Sequence, residues 1–189
     1  QCWLRENINH GTMVTGSTAQ TNNGAVEKYC YQNDTNNCNI YGGLYQWAEM
    51  VQYLNNVTNT THWSSPLPTN VQGVCPSGWH IPTTAEVDVL KAYLGSTTAG
   101  GKLKETGTVH WRSNNVGATN STGFTSLPHG HVYNGAFGNL KEYANFWTVT
   151  KGQYNTDAYY RGTCYNFSTM TEGQGYKTTG YGVRCIKNP

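Results

Sequence analysis

The sequence predicts an α+β domain, and three observations predict it. First, one segment, Thr83 to Gly95, carries a complete set of helix signals. Second, the last third of the chain alternates short runs of aromatic and β-branched residues with Gly/Asn turns, the pattern of strands. Third, six widely spaced cysteines mark a fold stapled by disulfides. Helix signals early and strand signals late segregate the two kinds of structure along the chain, as α+β domains do.

In chain order, residues 1–41 read as an extended, loop-rich N-terminal segment, with Gly11, Gly16 and Asn23-Gly24 as turn signals. Leu44, Trp47, Met50/Val51 and Leu54 then fall at helical spacing and predict a helix over 43–54. Residues 55–74 are polar, rich in Thr and Asn, and contain Pro66 and Pro68; they predict a long loop. Thr83 with Glu86 three residues later forms a capping box. Val87, Leu90 and Leu94 supply the apolar stripe and Gly95 the stop, so a helix runs from about 84 to 94. Strands are expected at 123–127, 145–150, 158–165 and 181–187. The whole chain, 1–189, is read as a single domain.

Composition limits the function. Hydrophobic residues make up 37% and aromatics 13%, so the core is built from rings as much as from aliphatic side chains. Charged residues are only 12% and the net charge is +2. Nucleic acid is excluded as a partner, because phosphate binding needs a concentrated basic surface and the Lys and Arg are scattered. Asn and Thr form about a quarter of the chain, which suits an outer-face protein. No apolar run is long enough to span a bilayer, and no signal peptide is visible. The chain is expected to be a processed mature protein or an excised segment.

The cysteines are Cys2, Cys30, Cys38, Cys75, Cys164 and Cys185. None forms a C-x-x-C pair, and an even number at wide spacing points to three disulfides and an oxidising, extracellular compartment. Spacing does not choose among the fifteen connectivities. The favoured set is Cys30–Cys38 around a polar turn, Cys75–Cys185, and Cys2–Cys164 by remainder. A bridge closing the loop from 75 to 185 is worth roughly 4–5 kcal/mol in the chain-entropy model.

Several blocks then resemble a known family: QCWLRENIN at the start, YGGLYQWAEM (41–50), CPSGWHIPTTAEV (75–87), AGGKLKE (99–105), GATNSTGFTSLP (117–128) and GYGVRCIK (180–187). In order and over nearly the whole chain, they look like the Fibrobacter succinogenes major paralogous domain. The resemblance implies the formylglycine-generating-enzyme branch of the C-type-lectin-like fold, in which two helices flank small twisted antiparallel sheets and a long irregular region carries the variable surface. It also implies a secreted or surface-attached bacterial module. Val87 stands where the family usually has an aromatic, His129-Gly130-His131 replaces a Gly/aromatic pattern, and Cys164 is outside the family's usual cysteines.

Catalysis is not expected. Formylglycine-generating enzymes hold copper with a reactive cysteine pair, whereas here Cys75 and Cys185 fit structural positions and no cysteine stands beside a His or a basic cluster. That oxidase chemistry is the distant alternative. The ten acids are dispersed, and Glu86 and Asp88 read as helix-start charges. His129 and His131 would share one side of a strand as half a metal site, but no third ligand is near and their Pro/Gly context favours a loop. The loop motifs of calcium-dependent lectins are absent. No cofactor is expected, calcium held by backbone carbonyls being the one ion left open.

Asn33, Asn56, Asn59, Asn120 and Asn166 head Asn-x-Ser/Thr glycosylation motifs, and the stretch 55–65 is a candidate for O-linked sugar. Residues 129–179 combine Tyr with Asn, Gly and Thr, the composition of adaptable binding surfaces. Tyr133, Tyr154, Tyr159 and Tyr176 are the binding-surface candidates, with Trp147 assigned to the core. The expected function is a non-catalytic structural module of a bacterial surface or filament, with itself as partner. The alternative is an adhesion module for glycan or protein.

Overall fold

The computed structural model describes residues 1–64 and 67–189. Ser65 and Pro66, both inside the expected 55–74 loop and the first of them at the end of the O-glycan candidate stretch, lie outside the described residues. In chain order the elements are β1 (Thr12–Met13), β2 (Glu27–Lys28), α1 (Thr35–Tyr41), α2 (Trp47–Met50), β3 (Trp79–His80), α3 (Thr84–Leu94), α4 (Ala99–Leu103), β4 (His131–Tyr133), β5 (Ala136–Gly138), β6 (Tyr143–Lys151), β7 (Asp157–Cys164), β8 (Thr171–Tyr176) and β9 (Ile186–Lys187). Both helices and small sheets are present, as the sequence implies, but β1–β3 precede α3, so the two kinds are less segregated along the chain than expected.

Helix α3 forms where its capping box sets it. Thr83 Oγ1 accepts from the Glu86 N–H, and Glu86 Oε2 accepts from the Thr83 N–H at 2.8 Å. Each bond satisfies a donor that the first helical turn leaves free. Val87 and Leu94 are buried, over Leu103, Phe124 and Phe146. Short α4 packs in the same cluster. A Cβ on its Gly101 would stand 2.2 Å from the Gly117 carbonyl oxygen, so the close approach of the 115–119 loop requires glycine there.

The central sheet has the order β6-β7-β8 and is antiparallel. Trp147 pairs with Tyr160 and Phe146 with Arg161, which fixes the two faces. One face carries Trp147 and Tyr160 into a ring-rich core with Tyr181, Trp47 and Trp63. The Trp147 and Tyr181 rings lie 4.7 Å apart and those of Trp47 and Trp63 5.0 Å apart. The opposite face carries Ala144 and Phe146 into the cluster under α3 and α4.

The two ends of the chain meet. The Leu4 N–H donates to the Cys185 carbonyl, Ile8 to Val183, and Lys187 to Cys2, at 2.9–3.0 Å. Cys75–Cys185 ties this ribbon to the start of the β3–α3 segment, and Cys30–Cys38 closes a local loop.

Six expectations are corrected, five of them in the backbone. The expected helix over 43–54 shrinks to α2. Leu44 and Tyr45 are instead extended, bridged to Tyr29 and Tyr181, and positive φ at Gln52 and Tyr53 ends the helix. A buried irregular segment can match helical spacing by coincidence when nearly every residue is interior. The expected extended segment 1–41 contains α1, capped by Asp34, whose Oδ1 accepts from the Asn36 N–H; its residues TNNCNIY carry no apolar stripe. The strand expected at 123–127 is irregular, with positive φ at Thr125 and a single bridge from Ser126 to Lys104. The final strand is only β9, so Cys185 precedes it. Of the small sheets, β1–β2 is parallel.

The third disulfide is the main correction. Cys2 and Cys164 are free thiols, Cys2 exposed and Cys164 buried. Cys2 is committed to the N-terminal ribbon beside Lys187. Cys164 closes β7 opposite Tyr143, and its thiol donates to Asn166 Oδ1 at 2.8 Å. Assignment by remainder assumed that every cysteine pairs.

Candidate functional site

Strand β8 is the outer strand of the central sheet, and its sequence TEGQGY alternates half-buried and exposed residues. Glu172, Gln174 and Tyr176 point to the exposed side. At one end Tyr176 stacks on Tyr133, which closes β4, with centroids 5.9 Å apart and planes tilted by 20°. Both rings are exposed. At the other end Glu172 pairs with Lys91 of α3 and faces Arg161 at 3.9 Å. Arg161 in turn donates to Asp88 at 3.2 Å and covers the Tyr159 ring at 5.8 Å. Tyr159 is half-buried. Tyr154 is exposed, in the β6–β7 turn. So of the four candidate tyrosines the structure brings Tyr133 and Tyr176 into contact, while Tyr159 belongs to the Arg161 stack and Tyr154 stands apart.

The body behind this surface is held by charges that the sequence did not single out. Lys104, Lys177 and Arg184 have exposures of 0%, 0% and 2%. Lys104 Nζ donates to the carbonyls of Val116, Cys164 and Phe167 at 2.8–2.9 Å and lies 5.5 Å from the Trp111 ring centre. Lys177 Nζ donates to the Thr61 carbonyl, sits 3.5 Å from that of Thr58, and covers Trp47 at 4.1 Å. Arg184 donates to the carbonyls of Leu4, Arg5 and Phe124 and to Asn7 Oδ1, with Phe124 under its guanidinium at 4.1 Å. Burial lowers the lysine pKa values, to about 8 for Lys104 and about 7 for Lys177. Each cation draws together carbonyls of irregular backbone that no sheet or helix would satisfy. Glu49 plays the inverse part. It is fully buried, accepts from the Glu27 N–H at 2.9 Å, and is raised in pKa by that burial.

The remaining candidates separate by geometry. His129 packs on Phe146 and His131 on Tyr181, so the two imidazoles serve different neighbours. Burial lowers His129 to about 4, which keeps it neutral. No group of three or more His, Cys, Asp or Glu side chains with metal-holding geometry occurs among the described residues. Asn33, Asn56 and Asn166 are exposed. Asn59 uses both ends of its amide, accepting from the Ala48 N–H and donating to Gln46 Oε1. Asn120 likewise bonds Thr125 twice. These two asparagines hold loops.

No helix among the described residues is long and apolar enough to cross a membrane. No curated protein and no solved structure matches the chain. The model of the Fibrobacter succinogenes major domain matches residues 1–187. That span contains both disulfides, the buried cations Lys104, Lys177 and Arg184 and the β8 surface, so the chain belongs to the Fibrobacter succinogenes major domain family.

Proposed function

We propose that this domain is a non-catalytic, exported module of a bacterial cell surface that associates with copies of itself, built on a C-type-lectin-like body. The observation that carries the proposal is the open outer strand β8, flanked by the exposed Tyr133–Tyr176 stack, on a chain whose net charge is only +2. Two disulfides support export, because such bonds persist in oxidising compartments. The buried charges support a structural role: each is spent on backbone groups or rings within the fold. The meeting of the chain ends, with α1 and α3 beside small sheets and long irregular loops, supports the lectin-like architecture. Sedimentation velocity across a concentration series tests the reading. A rise in the weight-average coefficient with concentration is expected, and a monomer throughout refutes self-association.

The stacked pair favours one second reading, adhesion to glycan, since a flat exposed aromatic platform is what a sugar face packs on. A glycan array probed with the chain and with Tyr176→Ala separates the two. Signal lost in the variant supports adhesion, and a silent array removes it.

A further inference from the structure

We infer that the self-association surface is the edge of β8, which pairs antiparallel with β8 of a second copy about a two-fold axis at Gln174 to give one six-stranded sheet. The inference rests on the self-association reading and names its contact.

The backbone phase of β8 can be read from its neighbours. The Lys177 N–H donates to the Thr156 carbonyl at 2.8 Å, and the Asp157 carbonyl turns the other way, to the Gly152 N–H at 3.0 Å. Backbone groups in an antiparallel strand alternate sides. Thr171, Gly173 and Gly175 therefore direct their N–H and C=O groups to β7. Glu172, Gln174 and Tyr176 direct theirs outward. The Tyr176 carbonyl accepts from the Thr179 N–H at 2.8 Å. The N–H and C=O of Glu172 and Gln174 and the N–H of Tyr176 have no backbone partner among the described residues.

Such an edge is a template for another strand, and natural sheets usually blunt it with Pro, charged side chains or a bulge. TEGQGY has no Pro and no bulge, and its one charge, Glu172, is paired with Lys91 of its own chain. A side chain on the inner face is also excluded at Gly173, where a Cβ would lie 2.5 Å from Tyr160 Oη.

The strand is complementary to itself in one register. A two-fold axis perpendicular to the sheet pairs residues of the same face. Centred on Gln174, it sets Gln174 opposite Gln174 of the second copy and Glu172 opposite Tyr176. All three are outward-pointing residues, so the free groups of Gln174, the Glu172 carbonyl and the Tyr176 N–H meet free counterparts, and the Glu172 N–H meets the second lone pair of the Tyr176 carbonyl. On the exposed face an amide meets an amide and a carboxylate meets a phenol, and Glu172 never opposes its own copy. Centring on Gly173 would leave Tyr176 opposite Met170, beyond the strand. A two-fold contact of this kind closes after two copies.

The test is Gln174→Glu, nearly isosteric, so that the acceptor of the Gln153 N–H is kept. It places two carboxylates face to face at the axis with Glu172 on either side. Sedimentation equilibrium at pH 7 should show the native chain dimerising and the variant about two- to fivefold weaker, since like charges directly opposite destabilise a strand pair. Near pH 4, where carboxylates take up protons, the variant should recover toward the native chain. Gln174→Pro, which removes a central donor, should weaken association at both pH values, and near-ultraviolet circular dichroism checks that each variant is folded. Undiminished association of both folded variants overturns the β8 contact while self-association stands. A native chain that stays monomeric overturns both.

Discussion

Replacing Lys104 by Met tests whether an internal cation organises the loops of this fold. The ammonium bonds three carbonyls at 2.8–2.9 Å, two of which, those of Val116 and Phe167, have no other backbone partner among the described residues. The third, of Cys164, also accepts from the Phe167 N–H at 3.4 Å. A buried carbonyl left without a donor costs about 2 kcal/mol. Adding about 1 kcal/mol for the Cys164 bond and about 1 kcal/mol for the Trp111 contact brings the loss to about 6 kcal/mol. Methionine fills similar space without a charge to bury. The depression of Lys104 from 10.5 to about 8 sets that relief at about 3 kcal/mol near neutral pH. The net destabilisation is about 3 kcal/mol.

For a domain of this size that lowers Tm by about 6–12 °C. Urea denaturation gives the free energy directly. Hydrogen exchange adds a local readout, faster exchange being expected at 114–119 and 164–168, the segments that Lys104 joins. A Lys104→Met chain within about 1 kcal/mol of the native one, with unchanged exchange there, would show that the loops hold themselves.

Three further outcomes follow from the same structure. Thiol titration of the native chain should find one fast-reacting group, Cys2, and a second, Cys164, only in denaturant; a chain with no thiol would restore the third bridge. Opening Cys75–Cys185 with serines should cost about 5 kcal/mol and opening Cys30–Cys38 about 2.5 kcal/mol, because their sequence separations are 110 and 8 and loop entropy grows with length; equal losses in urea midpoints would contradict this. In a Cys2→Ser/Cys164→Ser chain, stability should be flat just below pH 7 and rise from about pH 7–8 toward 10. Across that window the unfolded lysines, at 10.5, keep protons that folded Lys104 and Lys177 have released. Above pH 10 it should fall, since burial lifts Tyr29 and Tyr181 to about 12 and their unfolded forms ionise first; denaturation midpoints that decline from pH 7.5 to 9.5 would reverse the assigned signs.

How much of this was legible in the sequence depends on how local the cause is. Helix α3 was legible to the residue because Thr83, Glu86 and Gly95 specify its ends through bonds spanning a few positions. β6 and β7 were legible because ring-rich runs such as ANFWTVT suit a sheet buried on both faces. Helix α1 was not, since its stability comes from the Asp34 cap and the Cys30 bridge rather than from an apolar face. The Tyr133–Tyr176 pair was half legible: composition marked both residues, but their stacking depends on β4 and β8 meeting at the sheet end.

The buried cations were illegible for a deeper reason. Lys102 and Lys104 sit two residues apart in AGGKLKE, yet Lys102 reaches only the Leu94 carbonyl from the surface of α4. Lys104 lies inside because three loop carbonyls converge on it from positions 12, 60 and 63 residues away. A chain with only twelve Lys and Arg that buries three of them completely is using positive charge as an internal ligand. Long loops lacking a ladder still present carbonyls that must be satisfied. A flexible ammonium with three donors, or a five-donor guanidinium, can gather several at once. This accounts for a fold with so little regular structure remaining closed.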